Sequence, residues 1–552
     1  MILASTRRYC AVVSSRCDRR SILHPRRLRL IPWPLFPREL PLQDSSPGDA
    51  DPWTVVVRRR DRSSLCRQRP IPVRNCLVLA FAALLSVNAS SMVATGSDPK
   101  TQHGPAREDA LLYRQIVVPQ PFLTRQKDRT FGGDIRIGDL NGDGRCDFIV
   151  YRCNHGAPTG AHMGGVKPAF IGAFDLDGKP LWRVGEGGNQ PSRPMSIAVK
   201  DWTGDGADDV ICFWHQPQSE LSTDWQTLAD VAVQLRDGRT GNVIREASPT
   251  AITQRRRRDP VGANWIHQRL LIANFRGTLH PRDIAVKLGD TYVALDEHFN
   301  VLWTYRTEWV QYSQCPAYIP AVGDMDGDGR DELLTGYHLI DDDGALLWKQ
   351  KLGANMDSVT IDRWRGKIRA ICSGFGHVMT AGGDTVLSLG QEFVPHGQEV
   401  RVADFHAGHP GNEMVLRAFG HKPTVHLVSS ESNTIVNTIE LQFSPTNVGM
   451  EPVYWDGPDK RALLFNGGWL WDLQQAKGWQ LPKLPPPNGG TVHRMGFYHV
   501  IPANLVGDQR EELVVWDPTA KHVYVYTPKV LNELLTSKYC HGPRQYNPRL
   551  MD

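Results

Sequence analysis

Three stretches of the chain carry oxygen-bearing side chains at one fixed spacing. Positions one, three, five and nine are Asp139, Asn141, Asp143 and Asp147 in the first, and Asp201, Thr203, Asp205 and Asp209 in the second. In the third they are Asp324, Asp326, Asp328 and Glu332. Glycines stand at positions four and six of each. A hard cation such as Ca2+ takes about six to eight oxygen ligands. Short side chains at alternate positions converge on one point only where the chain turns sharply, and glycine permits that turn. The carbonyl of position seven (Arg145, Ala207 or Arg330) would complete the cage.

An EF-hand opens the same way, but it needs a glutamate at position twelve and a helix on each side. Position twelve here is Val150, Cys212 or Thr335. The loops lead into Phe148-Ile149-Val150-Tyr151, Val210-Ile211-Cys212-Phe213 and Leu333-Leu334-Thr335. Short runs this rich in β-branched and aromatic residues are strands. The expectation is Ca2+ held in loops at strand starts.

Weaker relatives of the phrase begin at Asn274, Asp404 and Asn504. Remnants stand at Ile361-Asp362-Arg363-Trp364 and Val453-Tyr454-Trp455-Asp456-Gly457. With these included, the spacing approaches the roughly 40–50 residues of a four-stranded propeller blade. A second phrase lies within units: Asp175-Leu176-Asp177-Gly178-Lys179-Pro180-Leu181-Trp182, with counterparts ending at Trp303 and Trp348. It is a hairpin whose tryptophan is expected to pack between blades. Helical periodicity is confined to Val530–Leu535. The fold class expected is all-β: a β-propeller, most simply eight-bladed, with calcium-binding loops at strand starts.

The chain of 552 residues has a net charge of +4. Residues 1–75 hold 16 Arg, no Lys and 6 acids, a net of +10, so the remainder carries −6. The basicity therefore belongs to the leader, and a nucleic-acid partner is not indicated. Residues 1–75 read as a basic leader or an overextended gene start. Residues 76–89, Cys76-Leu77-Val78-Leu79-Ala80-Phe81 onward, read as a signal peptide too short to span a membrane. Residues 90–130 read as linker and first strand, 131–528 as propeller, and 529–552 as a tail packing on it. The expected location is secreted or periplasmic. Six cysteines come after the signal: Cys146, Cys153, Cys212, Cys315, Cys372 and Cys540. Their spacing fits no metal pattern. Cys146 and Cys153 suit either a bridge across one hairpin or buried thiols.

The loops resemble the FG-GAP repeats of integrin α-chain propellers. A closer resemblance lies in the C-terminal third. Asn488-Gly489-Gly490-Thr491, Trp455-Asp456-Gly457, His396-Gly397-Gln398, Asn504-Leu505-Val506-Gly507-Asp508-Gln509-Arg510-Glu511-Glu512 and Gln545-Tyr546-Asn547 are similar to segments of rhamnogalacturonan lyases of polysaccharide lyase family eleven. That resemblance implies an eight-bladed propeller with bound calcium that cuts the rhamnogalacturonan I backbone of pectin. It departs from the family pattern at Val492, where the family has lysine, and at Gln398, where it has an acid.

Such a lyase removes the C5 proton of a uronate and expels the C4 oxygen. The proton becomes acidic when the carboxylate is neutralised by Ca2+ or an arginine, and a base near neutral pH must take it. His396, His493 and Arg494 are the candidate catalytic residues. His377 is a weaker one, and Arg255-Arg256-Arg257-Arg258 suits an anionic polymer or a solvated loop. The partner expected is a uronate-containing polysaccharide. The alternative is a non-catalytic calcium propeller that binds glycan or protein.

Overall fold

The computed structural model describes residues 102–104, 106–123, 135–153, 168–188, 196–215, 231–254, 269–307, 316–353, 356–420, 422–441, 449–486, 498–517, 521–528 and 538–550. All lie in one compact unit, residues 89–552. The leader, the signal-like run, the Val530–Leu535 helical candidate, the arginine run at 255–258 and Cys315 lie outside the described residues.

The protein is an eight-bladed β-propeller, each blade a separate sheet. The innermost strands are Ile135–Gly138, Ile197–Lys200, Arg269–Ala273, Ala321–Gly323, Val359–Trp364, Glu399–Ala403, Met450–Val453 and His499–Ala503, in blades one to eight. Within a blade the strands run antiparallel, inside to outside. The ring closes through an early segment. Leu111–Val117 forms the outermost strand of blade eight, antiparallel to His522–Thr527. Gln102–Gly104 adds a fifth, parallel strand to blade seven.

Burial explains why the second strands read as unbroken apolar runs. Each lies between two neighbouring blades, so both of its faces are covered. In Asp147–Cys153, Phe148 and Val150 face blade eight, while Ile149, Tyr151 and Cys153 face blade two. Eight apolar clusters result, one between each pair of neighbours. The tryptophans of the repeated hairpins cross these interfaces. Trp182 donates Nε1–H to Gly238 O at 2.6 Å, and Trp303 donates to Asp342 O at 2.6 Å, each on the next blade. Their rings lie where a Cβ on Gly241 or Gly344 would stand, and both glycines have positive φ. Cys146, Cys153, Cys212 and Cys372 are buried, Cys540 is exposed, and none of these five is in a disulfide.

The C-terminal segment enters the ring. Tyr539 donates its N–H to Gly144 O in the blade-one loop (2.7 Å), and Cys540 to Asn504 O in blade eight (3.1 Å). Beyond a short helix, Pro543–Tyr546, the Asn547 amide pairs with both the N–H and C=O of Ile272 on the inner strand of blade three, at 2.8 Å each. Arg549 donates to Val359 O in blade five, and its own carbonyl accepts from Arg401 in blade six at 2.8 Å. The tail thus ties inner strands that are far apart around the ring.

Candidate functional site

Two charged regions stand out, and they lie at different places on the inner strands. The first is the set of loops that leave those strands at their C-terminal ends. In blades one, two and four the position-one carboxylate turns back onto its own loop. Asp139 accepts the Gly144 N–H at 2.9 Å, Asp201 the Gly204 N–H at 2.6 Å, and Asp324 the Gly327 N–H at 2.6 Å. The position-nine carboxylate braces the loop from the next strand. Asp147 accepts from Leu140 N (3.0 Å), Asp209 from Thr203 N (2.9 Å) and Glu332 from Met325 N (2.6 Å).

This leaves negative charge facing inward. Asp139 Oδ1, Asp147 Oδ1 and Glu332 Oε1 are buried without a hydrogen-bond partner. Ligand oxygens of Asp324, Asp326 and Glu332 lie within 4.8 Å of one another. Burial, with Asp143 beside it, raises the Asp147 carboxyl to about 8. Burial, with Asp326 and Asp324 beside it, does the same to Glu332. Buried acids with unused lone pairs fit a cation that has oxygen ligands. The loops are not equivalent, however. In blade two, Arg239 already pairs with Asp205 at 2.5 Å. In blade eight, Arg510 pairs with Asp508. In blade three, Arg276 holds Asp283.

Sequence reasoning missed a role for position eight. The acid there reaches the loop of the preceding blade. Asp208 Oδ2 accepts the Asp139 N–H (2.7 Å), Asp331 Oδ2 the Asn274 N–H (2.7 Å) and Glu511 Oε2 the Tyr454 N–H (2.8 Å). Each acid's own N–H is returned to the same residue's carbonyl. The signal was in the paired acids Asp208-Asp209, Asp331-Glu332 and Glu511-Glu512. The first of each pair latches a neighbour and the second braces its own loop.

The second region is a cavity of about 280 Å³ among the inner strands, lined in part by Arg269, Asp362, Arg401, Glu451, Tyr454, Arg544 and Arg549. Four guanidiniums line it with Asp362 and Glu451, and Glu399 and Glu511 pair with two of them from outside the lining. Arg401 is paired with Glu399 at 2.8 Å and Glu451 at 3.0 Å, and Arg544 with Glu511. Arg549 is committed only through Nη2, to Val359 O; its Nε is buried with no hydrogen-bond partner. Burial, with Arg401 close by, lowers the Arg549 pKa to about 9. Burial pushes the Tyr454 hydroxyl upward, which makes it a poor base.

Of the sequence-derived catalytic candidates, His396 lies among the described residues, and it does not line this cavity. His396 is half-buried just before the inner strand of blade six and is not among the lining residues. Its backbone bonds to Ala418 and Gly420, and a Cβ on Gly420 would meet its ring. His493 and Arg494 lie outside the described residues. His377 is buried, which lowers its pKa. Gln398, in the place of the family acid, donates to Asp357. His396 also lies at the opposite end of its inner strand from the loop at Asp404. The five residues Glu399–Ala403 intervene, roughly 16 Å at about 3.3 Å per residue. An ion in these loops therefore does not share a substrate group with His396.

No model of a known protein family matches the chain. Two curated proteins of Bacillus subtilis do. The rhamnogalacturonan exolyase YesX is 24% identical over 459 residues, covering 71% of each chain. The rhamnogalacturonan endolyase YesW is 23% identical over 512 residues, covering 78% of this chain and 74% of its own. The chain is rhamnogalacturonan lyase-like. Solved structures agree on the fold of this lyase-like propeller. The rhamnogalacturonan lyase of Bacillus licheniformis superposes with a TM-score of 0.55 at 19% identity, over 76% of each chain. The exotype lyase YesX superposes with 0.53 at 17% identity, over 77% of each. Among the described residues no helix is long and apolar enough to cross a membrane.

Proposed function

We propose that the protein is an exported polysaccharide lyase that cleaves a uronate-containing, rhamnogalacturonan-type glycan by β-elimination. The observation that carries this reading is the Arg549 guanidinium, its Nε unbonded, in the axial cavity of a lyase-like propeller. Elimination starts when a base removes the C5 proton, and the negative charge that develops is shared with the adjacent carboxylate. A guanidinium at that carboxylate stabilises the developing enolate. Arg549 is suited to this, since its Nε is uncommitted. With the carboxylate on Arg549, proton abstraction is assigned to His493, because His396 does not line that cavity. His396 is the base where Arg494, a second group able to hold the carboxylate, takes that role. The C4 oxygen then leaves, and a C4–C5 double bond remains.

Ca2+ enters the proposal as a structural ligand of the blade-one, blade-two and blade-four loops. The residues that would hold it are Asp139, Asn141, Asp143 and Asp147; Asp201, Thr203, Asp205 and Asp209; and Asp324, Asp326, Asp328 and Glu332. Bound there, the ion supplies positive charge that lets crowded carboxylates stay ionised in the fold.

The test is the ultraviolet absorbance of the unsaturated uronate, measured on pectic, algal and host-type uronate polymers with calcium present. A rising signal on one of them is expected. Silence on all would displace the enzyme reading in favour of a propeller that binds glycan or protein without cutting it. Gln398, whose side-chain amide donates a hydrogen bond to Asp357 where the family resemblance has an acid, is the observation favouring that second reading. Activity that survives both His396→Ala and His493→Ala unchanged would keep the lyase and remove these two as the base.

A further inference from the structure

The blade-three loop is a variant of its neighbours, one residue longer: Gly277 keeps position four, Leu279 replaces the second glycine, and the bracing acid falls at position ten. It begins at Asn274, and Arg276 stands at position three, where blade four has Asp326 and blade one has Asn141. The bracing acid is Asp283, fully buried at the start of the next strand. Its Oδ2 accepts the Arg276 backbone N–H at 2.9 Å, as the bracing acids do elsewhere. Its Oδ1 is the atom that corresponds to the orphaned Asp147 Oδ1 and Glu332 Oε1. Here it is not orphaned: it accepts Arg276 Nε–H at 2.7 Å. The same guanidinium also pairs with Glu297, in the turn between the two outer strands of blade three.

We propose that the blade-three loop is a cation site whose cation is the chain's own Arg276 guanidinium, and that calcium takes this place once that side chain is replaced by a carboxylate. The inference rests on the proposed calcium reading of the blade-one, blade-two and blade-four loops. Its physical basis is one of matching charge. A buried carboxylate is tolerated when it is paired and hydrogen-bonded, and Arg276 supplies both from within the chain. A tethered cation is present at unit stoichiometry whatever the calcium concentration, so blade three is indifferent to calcium. With Arg276 gone, Asp283, Glu297 and the new carboxylate would meet at the vacated place, in a loop that also carries the side-chain oxygens of Asn274 and Thr278. This set resembles the Asp/Thr/Asp/Asp set of blade two, and its charge and donor type suit Ca2+.

The experiment compares the full chain with R276D and R276K. Bound calcium is counted by equilibrium dialysis, and melting temperature is followed in chelator and in excess calcium. R276D is expected to bind one more calcium per chain than the wild type. Its melting temperature in chelator should drop well below that of the wild type, and calcium should return most of the loss. R276K keeps a positive charge in the loop and is expected to bind no additional calcium. If wild-type protein binds calcium but R276D gains none and is not rescued, the inference is overturned while the reading of the other loops stands. If the wild type itself neither binds calcium nor shifts its melting point, both are overturned. Should R276D fail to fold in either condition, R276N decides. It removes the guanidinium and keeps an oxygen donor, so a calcium-dependent rise in its melting point larger than that of the wild type supports the inference, and an equal or smaller one overturns it.

Discussion

The rim loops and the axial cavity are built on one ring of inner strands, those of blades three to eight lining the cavity, and solve opposite problems. At the rim, carboxylates outnumber their partners: Asp139, Asp147 and Glu332 each leave a buried oxygen unbonded. On the axis four guanidiniums meet Asp362, Glu399, Glu451 and Glu511, and the Nε of Arg549 is left unbonded. A buried charge that lacks a partner is costly, so each region states the sign of what should join it. Under the proposed function the rim takes a calcium ion and holds it as part of the fold. The axis takes an anion, which under the proposed function is a substrate carboxylate that comes and goes. The comparison therefore separates a region of stability from a region of chemistry, and variants in one should leave the readout of the other intact.

The largest effect should come from the axis. Arg549→Gln removes the guanidinium and leaves a shorter, uncharged polar side chain. Elimination activity is expected to fall about 100-fold, in the range seen when one oxyanion-stabilising donor is lost. The calcium-induced shift in melting temperature should be that of the wild type. A loss of the calcium shift in this variant would mean that the two regions are not separable.

Next comes removal of the cation. Ligands that bind only the folded state stabilise it by about 2.7 kcal/mol per site at 100 times Kd. Melts in excess calcium and in chelator should differ by several degrees. Asp324→Ala should lose part of that difference, because the converging set Asp324, Asp326 and Glu332 loses a member. Coincident melts for wild-type protein would remove the cation from the rim.

A smaller effect concerns pH. In the absence of calcium the Asp147 and Glu332 carboxyls are raised to about 8, chiefly by burial. Their ordinary values lie near 4, so between those limits the folded state binds more protons than the unfolded state. Stability of chelated protein is therefore expected to be greatest at low pH within this window and to fall as pH rises toward 8. Calcium needs ionised ligands, so with calcium in excess the decline should flatten or reverse. Denaturant titrations at pH 5 and pH 8, with and without calcium, would show it. Equal slopes in both conditions would contradict the assignment of these acids to a cation site.

The smallest effect should come from the latches. Asp331→Asn keeps an oxygen for the Asn274 N–H but removes the charge that strengthens that bond. A loss of about 1 kcal/mol is expected, measured by chemical denaturation. The calcium shift should persist, because Asp331 serves the neighbouring blade and not its own loop.

The eight-bladed fold could be read from the sequence because its markers are local. Even Asp362, where blade five turns tightly between Trp364 and Lys367, kept enough of the phrase to be counted. The tryptophan hairpins were equally local, with one residue type at one offset from an Asp/Gly turn. The closing strand, Leu111–Val117, was visible only as a short apolar stretch, since its partner at His522–Thr527 lies at the other end of the chain. The paired acids were in view, but a latch to a preceding blade needs the blade order before it can be read. Arg276 was in view too. Its role appears only when the blade-three phrase is laid on that of blade four. The axial cavity was least legible. Arg269, Arg401, Arg544 and Arg549 share no spacing, and they meet only because the ring closes and the tail enters it. The histidines favoured from sequence were chosen by proximity to family-like segments, and His396 does not reach that cavity.

The measurement that tests the account most directly is the fate of solvent oxygen. The protein, with calcium, is incubated with rhamnogalacturonan I backbone in water enriched in oxygen-18, and the fragments are weighed by mass spectrometry. Elimination breaks the bond at C4 without adding water. The account predicts fragments that are unsaturated at the new non-reducing end and carry no heavy oxygen introduced by the cleavage, with their yield falling in Arg549→Gln. Fragments that have each gained one heavy oxygen and no double bond would mean hydrolysis, and would contradict the account at its centre.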